Sequence, residues 1–428
     1  MYRGGMRSAA AYATRPERGR LKRLDGGGAG TPRAAPLVMK QPTATLSAQR
    51  TTATVVALAT ARSQRLVSLD AFRGITIAAM ILVNNPGSWR PVYAPLQHAE
   101  WNGWTPADLI FPFFLFIVGV AIVLSLRQRR LVGEPASRLL LKIARRTLII
   151  FALGCVLNGF PFFDWDVFRI PGVLQRIAVC YLLAAVAVLA LDVRGQAVLT
   201  IVLLIGYWLL MRFVPIPGHR AGHFGLGTNL AAHVDNFLMH GHLLYHHWDP
   251  EGVLSTLPAV ATTLTGVLTG HWLRAPRRPF ERVAGLFIAG NLGVLLGLLC
   301  DRWFPINKSL WTSSYVLFTS GMALNFLGMC YWLIDIQGFQ RWAKPFIIYG
   351  TNPILAYVLS SLLAKAMALW RIARPNGTKV VIRRYIFETF FLPVASPINA
   401  SLLYAVAYVL FWLGITALLY RKRIFIKV

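Results

Sequence analysis

Long apolar runs recur from Leu66 to the last residues, and they limit the fold of this chain more than any other feature. About 20 apolar residues match the roughly 30 Å hydrocarbon core of a bilayer. Inside it the backbone polar groups must pair within their own segment, which leaves helices. Runs near 69–86, 107–126, 142–160, 172–191, 196–214, 253–273, 283–300, 311–334, 345–370 and 400–420 read as ten such segments. The expected fold is therefore all-α, a polytopic membrane protein with about ten transmembrane helices. Charged residues make up 14% of the chain, against about 25% in soluble domains.

A net charge of +28 invites a nucleic-acid reading, but the placement of the charges excludes it. Residues 1–65 hold twelve Arg and Lys against Glu17 and Asp25, and most of the rest flank apolar runs, as cytoplasmic ends facing anionic lipid do. With no sustained apolar period, residues 1–65 read as a disordered basic tail or as sequence upstream of the true start. Residues 66–428 read as a single transmembrane domain. With the start of the first span cytoplasmic, the same side collects Arg127, Arg129, Arg130, Arg138, Lys142, Arg145 and Arg146, then Arg274 to Arg282, then Arg421 to Lys427. Only the segment from Arg371 to Arg384 runs against this bias, and it could mark a miscounted span. Cys155, Cys180, Cys300 and Cys330 lie in or at the ends of apolar runs without metal-type spacing and read as small core residues.

On this orientation two polar stretches face the non-cytoplasmic side. The first, His98-Ala99-Glu100-Trp101-Asn102-Gly103-Trp104-Thr105-Pro106-Ala107-Asp108, joins spans one and two. Its residues serve equally as an aromatic interfacial loop and as a place for proton chemistry, since imidazole titrates near neutrality. Asp108, behind Thr105-Pro106, suits a helix N-terminus by capping alone; it could also orient His98, ten residues earlier, and stabilise an imidazolium. The second stretch, 215–252, carries seven His with Asp235 and Asp249. No recognised zinc spacing occurs there, so it reads as a solvated loop shaping a substrate mouth and no metal is expected.

Polar residues at span ends complete the candidates. Asp70 and Arg73 share one helix face at the start of the first span, and Asn84-Asn85-Pro86-Gly87 stops it. Gln175 and Arg176 enter the fourth span, where an Arg faces a cavity or a partner because lipid exposure costs about 2.5–3.5 kcal/mol; Arg176 suits a phosphate or carboxylate. Asn352 could line a cavity or cap a helix.

Read in order, Ser68-Leu-Asp-Ala-Phe-Arg-Gly74, Val83-Asn84, His98-Ala-Glu-Trp-Asn-Gly103, Ala107-Asp-Leu-Ile-Phe-Pro112, Arg169-Ile-Pro-Gly-Val-Leu-Gln-Arg176, Asp249-Pro-Glu-Gly252, Pro305-Ile-Asn-Lys-Ser-Leu-Trp311 and Leu419-Tyr-Arg-Lys-Arg-Ile-Phe425 resemble the heparan-alpha-glucosaminide N-acetyltransferase family. The resemblance runs from about Leu66 to the end and looks like the shorter bacterial members, without the extra leading span of the animal lysosomal enzymes. It implies transfer of an acetyl group from cytosolic acetyl-CoA, as donor substrate, across the membrane to the amine of a glucosamine-type sugar. It places the catalytic His at His98 and the family's Asn at Asn84, with His98 periplasmic in a bacterial inner membrane. Asp108 is then expected to orient His98, Asn84 to donate to the oxyanion, and Arg176 with Gln175 to contact acetyl-CoA. Expected partners are acetyl-CoA, the amino sugar, membrane lipid and a second copy of the chain, but not nucleic acid. An amino-sugar transporter is the alternative, since polar helix breaks also suit a translocation pathway.

Overall fold

The computed structural model describes residues 66–426, apart from 132, 375 and 376 and the side chains of 127, 130 and 131. The basic tail expected at 1–65 lies outside the described residues. All ten expected segments are helical. In chain order the helices are α1 (Val67–Asn84), α2 (Ile110–Leu131), α3 (Ala136–Gly159), α4 (Val173–Ala190), α5 (Val193–Phe213), α6 (Leu230–Met239), α7 (Thr256–Arg274), α8 (Pro279–Cys300), α9 (Ser313–Cys330), α10 (Lys344–Thr351), α11 (Pro353–Leu369), α12 (Ile382–Ile386) and α13 (Pro397–Arg421). A 3₁₀ turn, Pro106–Leu109, leads into α2, and α9 continues as a π-helical turn, Tyr331–Ile336.

Local chemistry sets the ends. Proline stands in the first turn of the Pro106 turn, α8, α11 and α13, where a missing N–H costs nothing. Asp192, Asn229 and Thr312 accept a backbone N–H at the starts of α5, α6 and α9, as capping side chains do. Among the described residues, seven segments are long and apolar enough to cross a membrane: α1, the Pro106 turn with α2, α4, α5, α8, α9 with its extension, and α13. The chain is thus an integral membrane protein. Helices α10 and α11 make an eighth, broken by 84° between Thr351 and Pro353. Of the ten expected segments, α3 and α7 do not meet that test. Arg138, Lys142, Arg145 and Arg146 ride on α3, and five threonines on α7.

Helix α7 lies at the centre, with Ala259, Ala261, Leu264 and Val267 fully buried. It meets α2 backbone to backbone. A Cβ added to Gly119 would sit 1.9 Å from the Thr263 carbonyl oxygen, and one on Gly266 2.0 Å from that of Phe116, so only small residues permit this approach. Of the α7 threonines, Thr262, Thr263 and Thr269 donate within their own helix, to the carbonyls of Pro258, Ala259 and Thr265. Helices α1 and α10 meet as closely, through Gly74 and Gly350. Beside that contact Arg73 donates to both Asp70 Oδ1 and the Gly350 carbonyl, each at 3.3 Å.

Asn352, fully buried at the break between α10 and α11, acts as a two-sided clasp. Its amide donates to the Ile424 carbonyl at 3.0 Å, and its oxygen accepts the Ile426 N–H at 2.8 Å. The segment that runs against the charge bias is not a missed span. It is an antiparallel hairpin, β1 (Arg371–Ala373) with β2 (Lys379–Val381), followed by α12. There Arg374 and Arg384 converge on Glu388. The stretch 215–252 departs from a solvated loop: it contains α6, and Asp235 and Asp249 in it are buried. All four cysteines are free, with Cys180 and Cys330 buried.

Candidate active site

The loop between α1 and α2 turns back on itself through Thr105-Pro106. Asp108 Oδ2 accepts the Thr105 N–H at 3.0 Å and the Ala99 N–H at 3.0 Å. The Thr105 hydroxyl is shared between the Gln97 carbonyl at 2.6 Å and Asp108 Oδ2 at 3.1 Å. This capping box is why the aspartate turns toward the loop, and it carries Oδ1 to 2.7 Å from His98 Nδ1. A carboxylate can only accept, so Nδ1 bears the proton and Nε2 holds the lone pair. Asp108 is 1% exposed and the imidazole 47%: an enclosed acid orients an open base. Tyr315 on α9 donates to the Asp108 carbonyl at 2.5 Å, fixing the turn from beneath.

Lys308 joins them from the loop between α8 and α9, and sequence reasoning missed it. Its Nζ lies 3.2 Å from Asp108 Oδ1, 3.0 Å from His98 Nδ1 and 3.3 Å from His98 Nε2. Two stitches between loops place it there: Gly103 N–H donates to the Ile306 carbonyl at 2.8 Å, and the Asn307 amide to Asn102 Oδ1 at 3.1 Å. Gly103 adopts φ +95°, a left-handed conformation open chiefly to glycine. Burial pulls the Lys308 pKa below the ordinary lysine range, although the charge and hydrogen bond of Asp108 and the charge of Glu251 oppose it. The signal available in sequence was a cation on the side of the membrane that the charge bias leaves poor in cations.

The other expected residues make no hydrogen bond to His98, Asp108 or Lys308 among the described residues. Asn84, at the end of α1, is exposed and makes no side-chain hydrogen bond among the described residues. Arg176 is 2% exposed. Its Nη2 donates to the Gly252 carbonyl at 3.0 Å and to Ser255 Oγ, while Nε and Nη1 have no partner. The guanidinium stands 5.2 Å from the Trp311 ring, and Trp311 packs edge-on against Tyr315, beneath Asp108. Neighbouring Gln175 also keeps a buried Nε2 without a partner. Glycines make room for it: a Cβ on Gly154 or Gly172 would approach Gln175 Oε1 to 2.3 or 2.6 Å.

A second charged group borders the site. Arg169 donates Nε to Asp249 Oδ2 at 2.8 Å and Nη2 to Asp249 Oδ1 at 2.7 Å and Glu251 Oε2 at 2.5 Å. Burial alone would raise the Asp249 pKa, but the Arg169 hydrogen bond and charge outweigh it and hold this carboxyl below the usual range. Asp235 goes the other way. Burial pushes it up to about 6, against the Val253 N–H and the charge of Arg176.

This gives a pH-dependent stability with a definite sign. An acid whose folded pKa exceeds its unfolded value favours folding fully only below the unfolded value, and the benefit disappears as pH rises through the folded one. Relative to Asp235→Asn, the wild type is expected to lose stability as pH rises from about 4 to about 6, by a difference on the order of 3 kcal/mol. Unfolding of both proteins across that range measures it, and parallel curves would contradict the assignment.

Comparison with known proteins identifies the family of this chain. A family model described as heparan-alpha-glucosaminide N-acetyltransferase, catalytic, matches residues 65–297. The human heparan-alpha-glucosaminide N-acetyltransferase is 30% identical over 421 residues, covering 85% of this chain and 60% of the relative. The mouse protein of that name is 28% identical over 423 residues, covering 86% and 61%. The chain thus spans about three fifths of the length of these relatives. With the family model covering more than half of it, the chain belongs to the heparan-alpha-glucosaminide N-acetyltransferase catalytic family.

Proposed function

We propose that this protein is a transmembrane N-acetyltransferase that moves an acetyl group from cytosolic acetyl-CoA to the amine of a glucosamine-type sugar on the non-cytoplasmic side. The observation that carries this reading is half-exposed His98 held through Nδ1 on buried Asp108, which leaves the lone pair on Nε2, 3.3 Å from Lys308 Nζ. In direct transfer, Nε2 accepts a proton from the acceptor ammonium and the freed amine attacks the thioester carbonyl. The N–C bond forms and the C–S bond breaks; the CoA thiolate leaves as the thiol with the proton held on Nε2, and the second ammonium proton, released as the nitrogen becomes an amide, passes to the freed Nε2 and on to solvent. In two-step transfer, Nε2 itself takes the acetyl group, releasing CoA, and the amine then displaces it. Asp108 stabilises the cationic imidazole on either route.

Lys308 Nζ, beside Nε2, supplies positive charge where the thioester oxyanion develops. Asn84, with no partner for its amide, is proposed as a second donor to that oxyanion. The unpartnered buried donors of Arg176 and Gln175 suit the amide and phosphate oxygens of acetyl-CoA. Membrane lipid and a second copy of the chain are proposed to cover the largely exposed apolar helices α5, α8 and α13. In a bacterial inner membrane, His98 faces the periplasm on this reading.

The test uses purified protein with acetyl-CoA and glucosamine. N-acetylglucosamine by mass, with one CoA released per product, is expected; the absence of both overturns the reading. The bent pair α10–α11 is the one feature favouring a carrier, since broken helices line solute paths. Yet both sides of Asn352 are engaged by the segment Ile424–Ile426. Uptake of unmodified glucosamine into vesicles without CoA would favour the carrier instead.

A further inference from the structure

Five charged side chains form two groups, one of them at His98. Asp108 faces Lys308 at 3.2 Å, and Arg169 faces both Asp249 and Glu251. The edge-on contact of Trp101 with Trp248, ring centres 5.7 Å apart, holds the Asp249–Glu251 segment against the His98 loop. Lys308 accordingly feels the charge of Glu251 as well as that of Asp108. In the first pair one lysine meets one aspartate, whereas in the second one arginine is shared between two carboxylates.

Among the described residues, one oxygen of these carboxylates is left without a donor. Asp108 is fully engaged, and so is Asp249: Oδ1 accepts from Arg169 and from the Glu251 N–H, Oδ2 from Arg169 and from the Leu244 N–H. Glu251 Oε2 accepts from Arg169 at 2.5 Å, but Oε1 takes no donor among the described residues. The Glu251 side chain is 11% exposed, and Arg169 holds the carboxylate through Oε2, leaving the acceptor capacity of Oε1 unused. A compact cation able to donate hydrogen bonds is the complement of such an oxygen.

We propose that Glu251 Oε1 seats the ammonium group of the acceptor sugar, with Arg169 as the positioning residue, and so selects an amino sugar over a neutral sugar and over the acetylated product. The inference rests on the acyl-transfer reading of the His98 site and names what recognises its acceptor. It also accounts for product release. Acetylation turns the ammonium into a neutral amide, the ion pair is lost, and Glu251 no longer retains the sugar.

The test titrates the full-length protein with glucosamine, glucose and N-acetylglucosamine by isothermal titration calorimetry, at a pH where the amine is protonated. Wild type is expected to bind glucosamine roughly ten- to hundredfold more tightly than either neutral sugar, the range for a charge-assisted hydrogen bond. Glu251→Gln, which keeps the shape and an acceptor for Arg169, is expected to abolish that preference and leave the KM for acetyl-CoA unchanged. Glu251→Asp, shorter but still charged, retains part of the preference and provides the second measurement if the Gln variant folds poorly. Equal binding of all three sugars by wild type, or a preference that survives in Glu251→Gln, overturns the proposal. The two readings fail separately. Acetyl transfer with an unchanged acceptor KM in Glu251→Gln removes the role of Glu251 alone, whereas Glu251-dependent glucosamine binding without acetyl transfer removes the enzyme reading alone.

Discussion

Replacement of His98 by alanine is expected to lower acetyl transfer by about 10²- to 10⁴-fold, the usual contribution of a positioned general base. The fold should survive it. The imidazole is nearly half exposed, and without it Asp108 still holds the N–H groups of Ala99 and Thr105 and the ammonium of Lys308. Product formation measured beside a melting curve separates the two effects; near wild-type turnover would remove His98 from the mechanism. The same preparation distinguishes the two chemical routes. Labelled acetyl-CoA without acceptor leaves label on His98 if the imidazole carries the acetyl group, and leaves none if the amine attacks directly.

A larger structural consequence is expected at Asp108. In Asp108→Asn the amide oxygen is retained on the Oδ2 side by the N–H groups of Ala99 and Thr105, so the NH₂ points at His98 Nδ1 and Lys308 Nζ. Donors then face donors. The ring is driven to the tautomer with its proton on Nε2, which has no lone pair left for the reaction. Loss of the orienting carboxylate in such an arrangement costs on the order of 10⁴-fold in turnover. Asp108→Ala goes further, because it leaves the mostly buried Lys308 without its anion, a change that costs about 3–5 kcal/mol. Turnover for the first variant and unfolding in detergent for the second measure these effects. An Asp108→Asn protein with wild-type activity would show that the carboxylate only caps its helix.

The helices were legible because a bilayer leaves the backbone few alternatives. The ten apolar runs appear as helices with Asn84-Asn85-Pro86, Pro106, Pro279, Pro353 and Pro397 near their ends. What composition did not reveal is how each helix meets the bilayer. The cations of α3 and the threonines of α7 make those two the exceptions, and Thr262, Thr263 and Thr269 fit there because their hydroxyls bond their own helix. Short elements inside loops, α6 and the β1–β2 hairpin, carry too little periodicity to stand out.

The site was half legible. His98 and Asp108 lie ten residues apart, but spacing does not bring them together; the Thr105 capping box does, by reversing the chain between them. Lys308 is 210 residues from His98, and Arg169 is 80 from Asp249. Such meetings depend on loop-to-loop hydrogen bonds such as Asn307 to Asn102, which no local pattern announces. Arg176 was visible as a cation inside a span. That it holds the Gly252–Ser255 turn was not, because its partners include a backbone carbonyl.

The clasp at Asn352 has a consequence for biogenesis. Both bonds of its side chain go to residues 72 and 74 positions later in the chain, so α11 can enter the bilayer during synthesis while the joint at its start still lacks its partners. An unmatched buried amide costs about 1–3 kcal/mol, and until Ile424–Ile426 arrives that cost bears on the kink alone. For this helix, insertion and completion are separate events, and a ribosome that stalls between them leaves a protein with its apolar helices made but its elbow unset.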